Sequence, residues 1–266
     1  MYETTYHRAG SVSEAAEKMA AAEDGKILGG GQTLLPTMKQ RLAAPSDLVD
    51  VTKIAEMQGI CEGEGTIVIG AATTHAEVAA SDLVRQKLPG LAALAGGIGD
   101  PAVRHMGTLG GSIANNDPAA DYPAALLGLG AAVTTSKRTI AAGEFFTGMF
   151  DTALDEDEVV VSVAFPLAAK SAYAKYPNPA SRYAMAGVFV AKGADGSVKV
   201  AVTGAGQNGV FRMSDMEAAL AGNWSSDAVA GIAPEPGDML SDLHGSANYR
   251  ANLVTVMAKK AVNKAG

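Results

Sequence analysis

The chain has 266 residues, of which 48% are hydrophobic and 18% charged, with a net charge of −7. That is the composition of a soluble globular protein with enough length to bury its own core. The acidic balance argues against nucleic acid as the main partner, and no run of 18 apolar residues reads as a membrane span. The N-terminal MYETTYHRAGSVSEAAEKMA lacks the basic and apolar regions of a secretory signal. The single cysteine, Cys61, excludes an intrachain disulfide, a cysteine zinc site and an iron–sulfur cluster. The four histidines are scattered and form no HExxH or HxH pattern, so no metal site is expected. One cysteine also suits a reducing compartment, and a cytoplasmic location is expected.

In chain order, Ser13 is placed to cap a helix through EAAEKMAAA, with Glu14 and Glu17 in its first turn. Lys26–Leu28 reads as a short strand running into Gly29-Gly30-Gly31. A helix is expected from Leu34 to about Leu42, then a strand over Asp47–Val51. Residues 1–55 therefore read as a β-α-β-α-β unit. Thr66–Gly70 is a strand, and Thr74 caps a helix through HAEVAAS that Leu83–Lys87 continues. Leu91–Ile98 is helical up to Gly96-Gly97. The stretch TLGGSIANNDPAAD, 108–121, reads as a loop, because its glycines, asparagines and proline suit neither helix nor central strand. Tyr122–Leu129 is a buried helix, and Ala131–Thr135, Arg138–Ile140 and Glu158–Phe165 are strands. KSAYAKYPNPASR, 170–182, reads as a linker. Beyond it Ala184–Lys192 and Val198–Thr203 form a hairpin around Ala194-Asp195-Gly196. Helices over Met216–Ala221 and Asn248–Asn263 complete an α+β chain.

Three glycine-rich segments invite a phosphate-binding role. Gly204-Ala-Gly206-Gln-Asn-Gly209 fits G-x-G-x-x-G, but no second strand ending in an acid follows about 20 residues on, so it reads as a glycine-rich turn. The other two, LGGGQTLLP at 28–36 and GTLGGSIAN at 107–115, combine glycines with uncharged donors and contain no P-loop lysine. Two tight turns would explain each alone; together they suit a diphosphate ester gripped by backbone amides and hydroxyls.

The segments LGGGQTLLPTMKQRLAAPSDLVDV and RHMGTLGGSIANNDPAADYPAALLGLGA, with DEDEVVVSVAFP, YPNPASRYAMAGV and YRANLVTVMAKKAV, resemble the FAD-binding medium subunit of the molybdenum hydroxylases. Carbon monoxide, xanthine and aldehyde dehydrogenases belong to that family, and the resemblance covers essentially the whole chain. It implies an FAD-binding fold of the vanillyl-alcohol-oxidase (PCMH) type. An N-terminal FAD-binding subdomain spans 1–55 and a second 56–168. A C-terminal domain of the CO dehydrogenase flavoprotein type spans 169–266.

By match to the family, Gly29, Gly30, Gly31, Gln32 and Thr33 hold the FAD pyrophosphate from one side. Thr108, Leu109, Gly110, Gly111 and Ser112 hold it from the other. Asp121 matches an acid that contacts the cofactor, though a helix N-terminal acid would also fit its place before Pro123; Asp117 is a second candidate. Ile98 and Val160 match apolar contacts, Lys175 a lysine near the flavin, and Tyr183 a tyrosine against the isoalloxazine. Gly29 and Gln32 stand where the family commonly has Ala and His or Thr, which bears on affinity more than identity.

The resemblance implies no catalytic side chain beyond the flavin. It also implies a small [2Fe-2S] subunit and a large molybdopterin subunit as partners. NAD, a quinone or oxygen would be the electron acceptor. A self-sufficient flavin oxidase of the same fold would turn over a small substrate alone, and a flavin-less assembly subunit would be colourless.

Overall fold

The computed structural model describes residues 1–266, which form three main sheets, each with its own helices. The first is parallel. Strands β1 (Thr5–Arg8), β2 (Gly25–Leu28) and β3 (Asp47–Asp50) lie in the order β1-β3-β2, and α1 (Val12–Ala21) and α2 (Leu34–Lys39) make the crossovers. This is the expected β-α-β-α-β unit. The cap of α1 is Ser11 rather than Ser13: the Ser11 hydroxyl accepts the Glu14 N–H at 3.2 Å. Fully buried Ala15 fixes which face turns inward, and that frame puts Ser13 inside the helix. Helix α2 stops at Lys39, short of Leu42, and Arg41 adopts a left-handed φ of 61°.

The second unit begins with β4 (Ile60–Gly63) and β5 (Thr66–Gly70). Six helices follow: α3 (His75–Ala80), α4 (Asp82–Lys87), α5 (Pro89–Gly96), α6 (Pro101–Met106), α7 (Leu109–Asn115) and α8 (Tyr122–Leu129). Then come β6 (Ala132–Thr135), β7 (Thr139–Ala141), the short α9 (Ala142–Phe145), a ribbon of β8 (Phe146–Gly148) and β9 (Asp151–Thr152), and β10 (Val160–Pro166). The antiparallel sheet runs β4-β5-β10-β6-β7. Thr74 caps α3 as expected, and Glu77 completes a capping box with it. The chain does not continue straight into Leu83–Lys87; Ser81 caps α4 as a new helix through the Val84 N–H.

The reading of 108–121 as a loop is corrected. Residues Leu109–Asn115 are helical, started by Thr108, whose hydroxyl accepts the Gly111 N–H at 3.1 Å. Buried Leu109 and Ile113 anchor this helix in the core. Gly110 is there for packing: a Cβ on it would lie 2.6 Å from the Cβ of Ala71. Tertiary burial thus overrides weak helix propensity.

The third sheet is an antiparallel meander of β11 (Lys170–Pro177), β12 (Ala184–Lys192), β13 (Val198–Thr203) and β14 (Phe211–Arg212), with α10 (Ser214–Gly222) and α11 (Ala247–Ala265). The expected linker 170–182 is therefore mostly strand: β11 pairs with β12 from Lys170 to Pro177, and only 178–183 loops out. Its alternation explains why. Ala172 and Ala174 face a core shared with α11, whereas Tyr173 faces the larger core shared with α8. With both faces covered, every residue of β12 up to Ala191 is buried. The guanidinium of Arg250 on α11 ties this unit together, donating to the Met185 and Gly204 carbonyls at 2.8 Å and to Asp242 at 2.7 Å. The G-x-G-x-x-G segment is a turn that leads into β14 rather than directly into a helix. Gly204 has φ +80° and sits where a Cβ would overlap the Ala184 carbonyl.

Candidate functional site

The two remaining glycine segments meet. A Cβ on Gly30 would overlap the Met106 carbonyl oxygen and lie 2.5 Å from Gly107 Cα; one on Gly29 would lie 2.8 Å from Thr108 Oγ1. Gly31 has φ +68°, so the chain turns there in a way only glycine tolerates cheaply. The second segment is held along the start of the α3 region. The Leu109 N–H donates to Thr73 O, the Gly110 N–H to Ala71 O, and the His75 N–H to Gly107 O. The glycines therefore serve first to let two backbones approach one another.

Beside this junction lies a cavity of about 530 Å³, within the range of small-molecule and cofactor sites. All three units line it. The β2–α2 segment supplies Gly29 to Thr33; α7 and its cap supply Thr108, Gly110, Gly111 and Ser112; Ile98, Val160 and Asp121 form further wall; and Tyr183 reaches in from the 178–183 loop. Two expected residues do not line it. The Leu109 side chain is fully buried in the core and its amide is spent on Thr73, so neither faces the cavity. Lys175 stands behind Asp121, its Nζ donating to the Gly97 carbonyl at 2.9 Å and to the Asp121 carboxylate at 3.0 Å.

The hydrogen-bond pattern marks what the cavity can hold. None of the N–H groups of Gly29, Gly30, Gly31, Gln32 and Thr33 donates to another protein group. Five successive amides at a cavity wall form a cradle for an oxyanion, and the partly exposed Ser112 lines the same cavity.

Asp121 is buried, and its side chain makes no capping bond to α8. Its carboxylate instead accepts from the Tyr173 hydroxyl at 2.5 Å and from Lys175. Burial pushes its pKa up, against the pull of the Lys175 charge and the Tyr173 hydrogen bond. Asp117 also lines the cavity; burial raises its pKa, and it accepts the Ala119 N–H. Partial burial and then the charges of Asp117 and Asp121 raise the pKa of the half-exposed Tyr183.

Among the lining residues that were not anticipated from sequence, two are buried and titratable: Glu158 and His75. Glu158 is buried, and burial alone would raise its pKa. Hydrogen bonds from Arg138, Thr135 (2.5 Å) and the Asp155 N–H outweigh that and hold it at about 2. His75 is buried, and burial, followed by the charge of Arg104, lowers its pKa to about 4. The sequence marks His75 only as the first residue of a capped helix, and Glu158 only as the start of a strand; their partners lie too far away in the chain to be read.

Residues 2–168 match the family described as the FAD binding domain in molybdopterin dehydrogenase. The chain is 34% identical over 278 residues to the carbon monoxide dehydrogenase medium chain of Hydrogenophaga pseudoflava, covering 98% of this chain and 96% of that one. It is also 34% identical to the nicotine 6-hydroxylase medium subunit of Paenarthrobacter nicotinovorans, with the same coverage. Among solved structures, a chain of reconstituted CO dehydrogenase from Oligotropha carboxidovorans superposes with a TM-score of 0.90 at 31% identity, covering 99% of this chain and 97% of that one.

Proposed function

The chain belongs to the family of FAD-binding domains in molybdopterin dehydrogenases, and from that premise we propose that it is the electron-transfer flavin subunit of a molybdenum-containing hydroxylase complex. It is a flavoprotein oxidoreductase subunit whose cofactor is FAD. In these complexes the molybdenum cofactor and the iron–sulfur clusters belong to partner subunits.

The observation that carries the proposal is the row of unpartnered amides from Gly29 to Thr33 at the wall of a cavity that Ser112 also lines. In this reading the fold is of the vanillyl-alcohol-oxidase type, divided at 1–55, 56–168 and 169–266, with the cofactor between the first two parts. The amides and the Thr108 and Ser112 hydroxyls bind the diphosphate. Ile98, Val160 and Leu154 supply apolar walls that keep water from the rings. Asp121, fixed by Tyr173 and Lys175, offers a positioned acceptor to a cofactor hydroxyl. Tyr183 covers the cavity from the third unit.

Bound FAD would accept electrons singly and release them as a pair, while the protein positions it and sets its potential. The donor would be a small [2Fe-2S] subunit, the substrate would be oxidised in a large molybdopterin subunit, and the acceptor would be NAD, a quinone or oxygen. No helix of the chain is long and apolar enough to cross a membrane; a cytoplasmic location is proposed with the rest.

The test is an absorption spectrum of the chain purified alone and with its partner subunits. Flavin bands, with FAD released on denaturation, are expected. Flavin in the assembled sample alone would mean that assembly completes the site. No flavin in either, and no uptake of added FAD, would overturn the proposal.

A further inference from the structure

Resting on the flavin reading, we propose that His75 is a cofactor-binding residue that donates a hydrogen bond from Nε2 to an oxygen of the FAD diphosphate. Three observations meet on this side chain. The first is place. His75 lines the cavity beside the junction of the two glycine segments: its own N–H donates to the Gly107 carbonyl at 2.9 Å, and its Nε2–Cδ2 edge lies against Gly107, where a Cβ would stand 2.7 Å from Nε2. Gly107 in turn touches Gly30, in the middle of the unpartnered amides. The imidazole therefore lies where the two segments meet at the cavity.

The second observation is the ring's hydrogen bonding. Nδ1 is buried and has no partner, and the nearest ring, Tyr122, has a hydroxyl that is itself buried and unpartnered. Nε2 has no protein partner either, but it is not among the buried orphans, so it is the nitrogen open to the cavity. A buried N–H without an acceptor is costlier than a buried lone pair. The proton therefore belongs on Nε2, and the tautomer fixed by burial presents a donor to the cavity.

The third is charge. Burial, and then the positive charge of Arg104, keep the ring neutral at physiological pH. Arg104 itself is spent on the carbonyls of Ile98 and Gly99, at 2.9 and 3.2 Å. A neutral donor in this place adds to the neutral amides of Gly29–Thr33, beside two glycine segments that contain no P-loop lysine. An apolar residue of similar shape would fill the same space and remove the orphaned Nδ1, so packing alone gives no reason for a histidine.

The experiment strips flavin from the full chain, in whichever state carries it, lone or assembled, and titrates FAD back. His75→Phe keeps the ring and removes the donor; His75→Gln returns an N–H near the Nε2 position. A neutral donor on a charged oxygen is worth roughly ten- to hundred-fold in affinity. His75→Phe is expected to raise the FAD Kd by about that factor with the flavin-free melting temperature unchanged or higher, and His75→Gln to recover part of the loss. Independently of any variant, the 15N spectrum of histidine-labelled wild-type protein is expected to show the Nε2–H tautomer, with that proton shifting when FAD is added. An unchanged Kd in His75→Phe, or a proton on Nδ1, would overturn the assignment. A wild-type protein that takes up no FAD in any state would instead overturn the flavin reading on which it rests.

Discussion

Lys175 Nζ lies 3.0 Å from the carboxylate of Asp121, and the Tyr173 hydroxyl closes on the same carboxylate at 2.5 Å. Two residues of one strand, β11, thus grip an acid of the second unit at the cavity wall. Removing one partner of a buried pair strands the other, which typically costs about 3–5 kcal/mol. Lys175→Met is expected to destabilise the protein by that order, and Asp121→Asn in the same chain to recover part of it. Denaturant melts of the two single variants and the double variant measure the coupling directly. Simple additivity would show that the pair does not act as a unit.

Gly30→Ala is expected to destabilise the fold by about 1–3 kcal/mol, since the obstacles to its Cβ, Met106 O and Gly107 Cα, are backbone and cannot swing aside. Gly111→Ala should cost less, because Gly111 is exposed and the nearest atom is the Thr108 hydroxyl at 3.0 Å. Thermal melts of flavin-free protein separate the two, and equal losses would contradict the contact.

Ser112→Asp places a negative charge where the diphosphate is proposed to bind. At a distance of 4 Å the repulsion is about 4 kcal/mol in a partly screened site, enough to weaken FAD binding tenfold or more. The residue is only partly buried, so the flavin-free melting temperature should hold. Flavin titration of Ser112→Asp beside Ser112→Ala reads the effect; an unchanged affinity would move the diphosphate away from this hydroxyl.

Acid should destabilise the protein in two steps. The pKa of His75 is lowered from its ordinary 6.5 to about 4, so below about pH 6.5 the unfolded chain binds a proton that the folded ring refuses. The neutral-His contribution is complete above pH 6.5 and is lost as pH falls toward 4. Glu158, lowered from 4.5 to about 2, contributes in the same sense between those values. Each group supplies a slope of up to about 1.4 kcal/mol per pH unit within its window. The raised pKa of Asp121 acts oppositely, favouring the fold at low pH. Chemical melts from pH 7 to 3 on the wild type and on His75→Phe isolate the upper step, which should vanish in the variant.

Local pattern in the sequence was enough for the β-α-β-α-β unit, the Thr74 cap of α3, the hairpin around Asp195-Gly196 and the long final helix. Each is set by neighbours a few residues apart. The pairing of the two glycine segments was visible as composition, and the family they resemble supplied the cofactor. What composition left open was why those glycines are glycines. Gly29, Gly30 and Gly110 are packed against Thr108, Met106 and Ala71, contacts that exist only once the chain has closed. Helix α7 forms through glycines because Leu109 and Ile113 are buried, and Lys170–Pro177 is a strand because two separate cores cover its two faces. The grip of Tyr173 and Lys175 on Asp121 spans more than fifty residues, and the orphaned nitrogen of His75 is defined only by what packs around it. Spacing along the chain carries short-range hydrogen bonding and periodic burial; which polar groups end up buried, paired or left facing a cavity is a property of the closed fold.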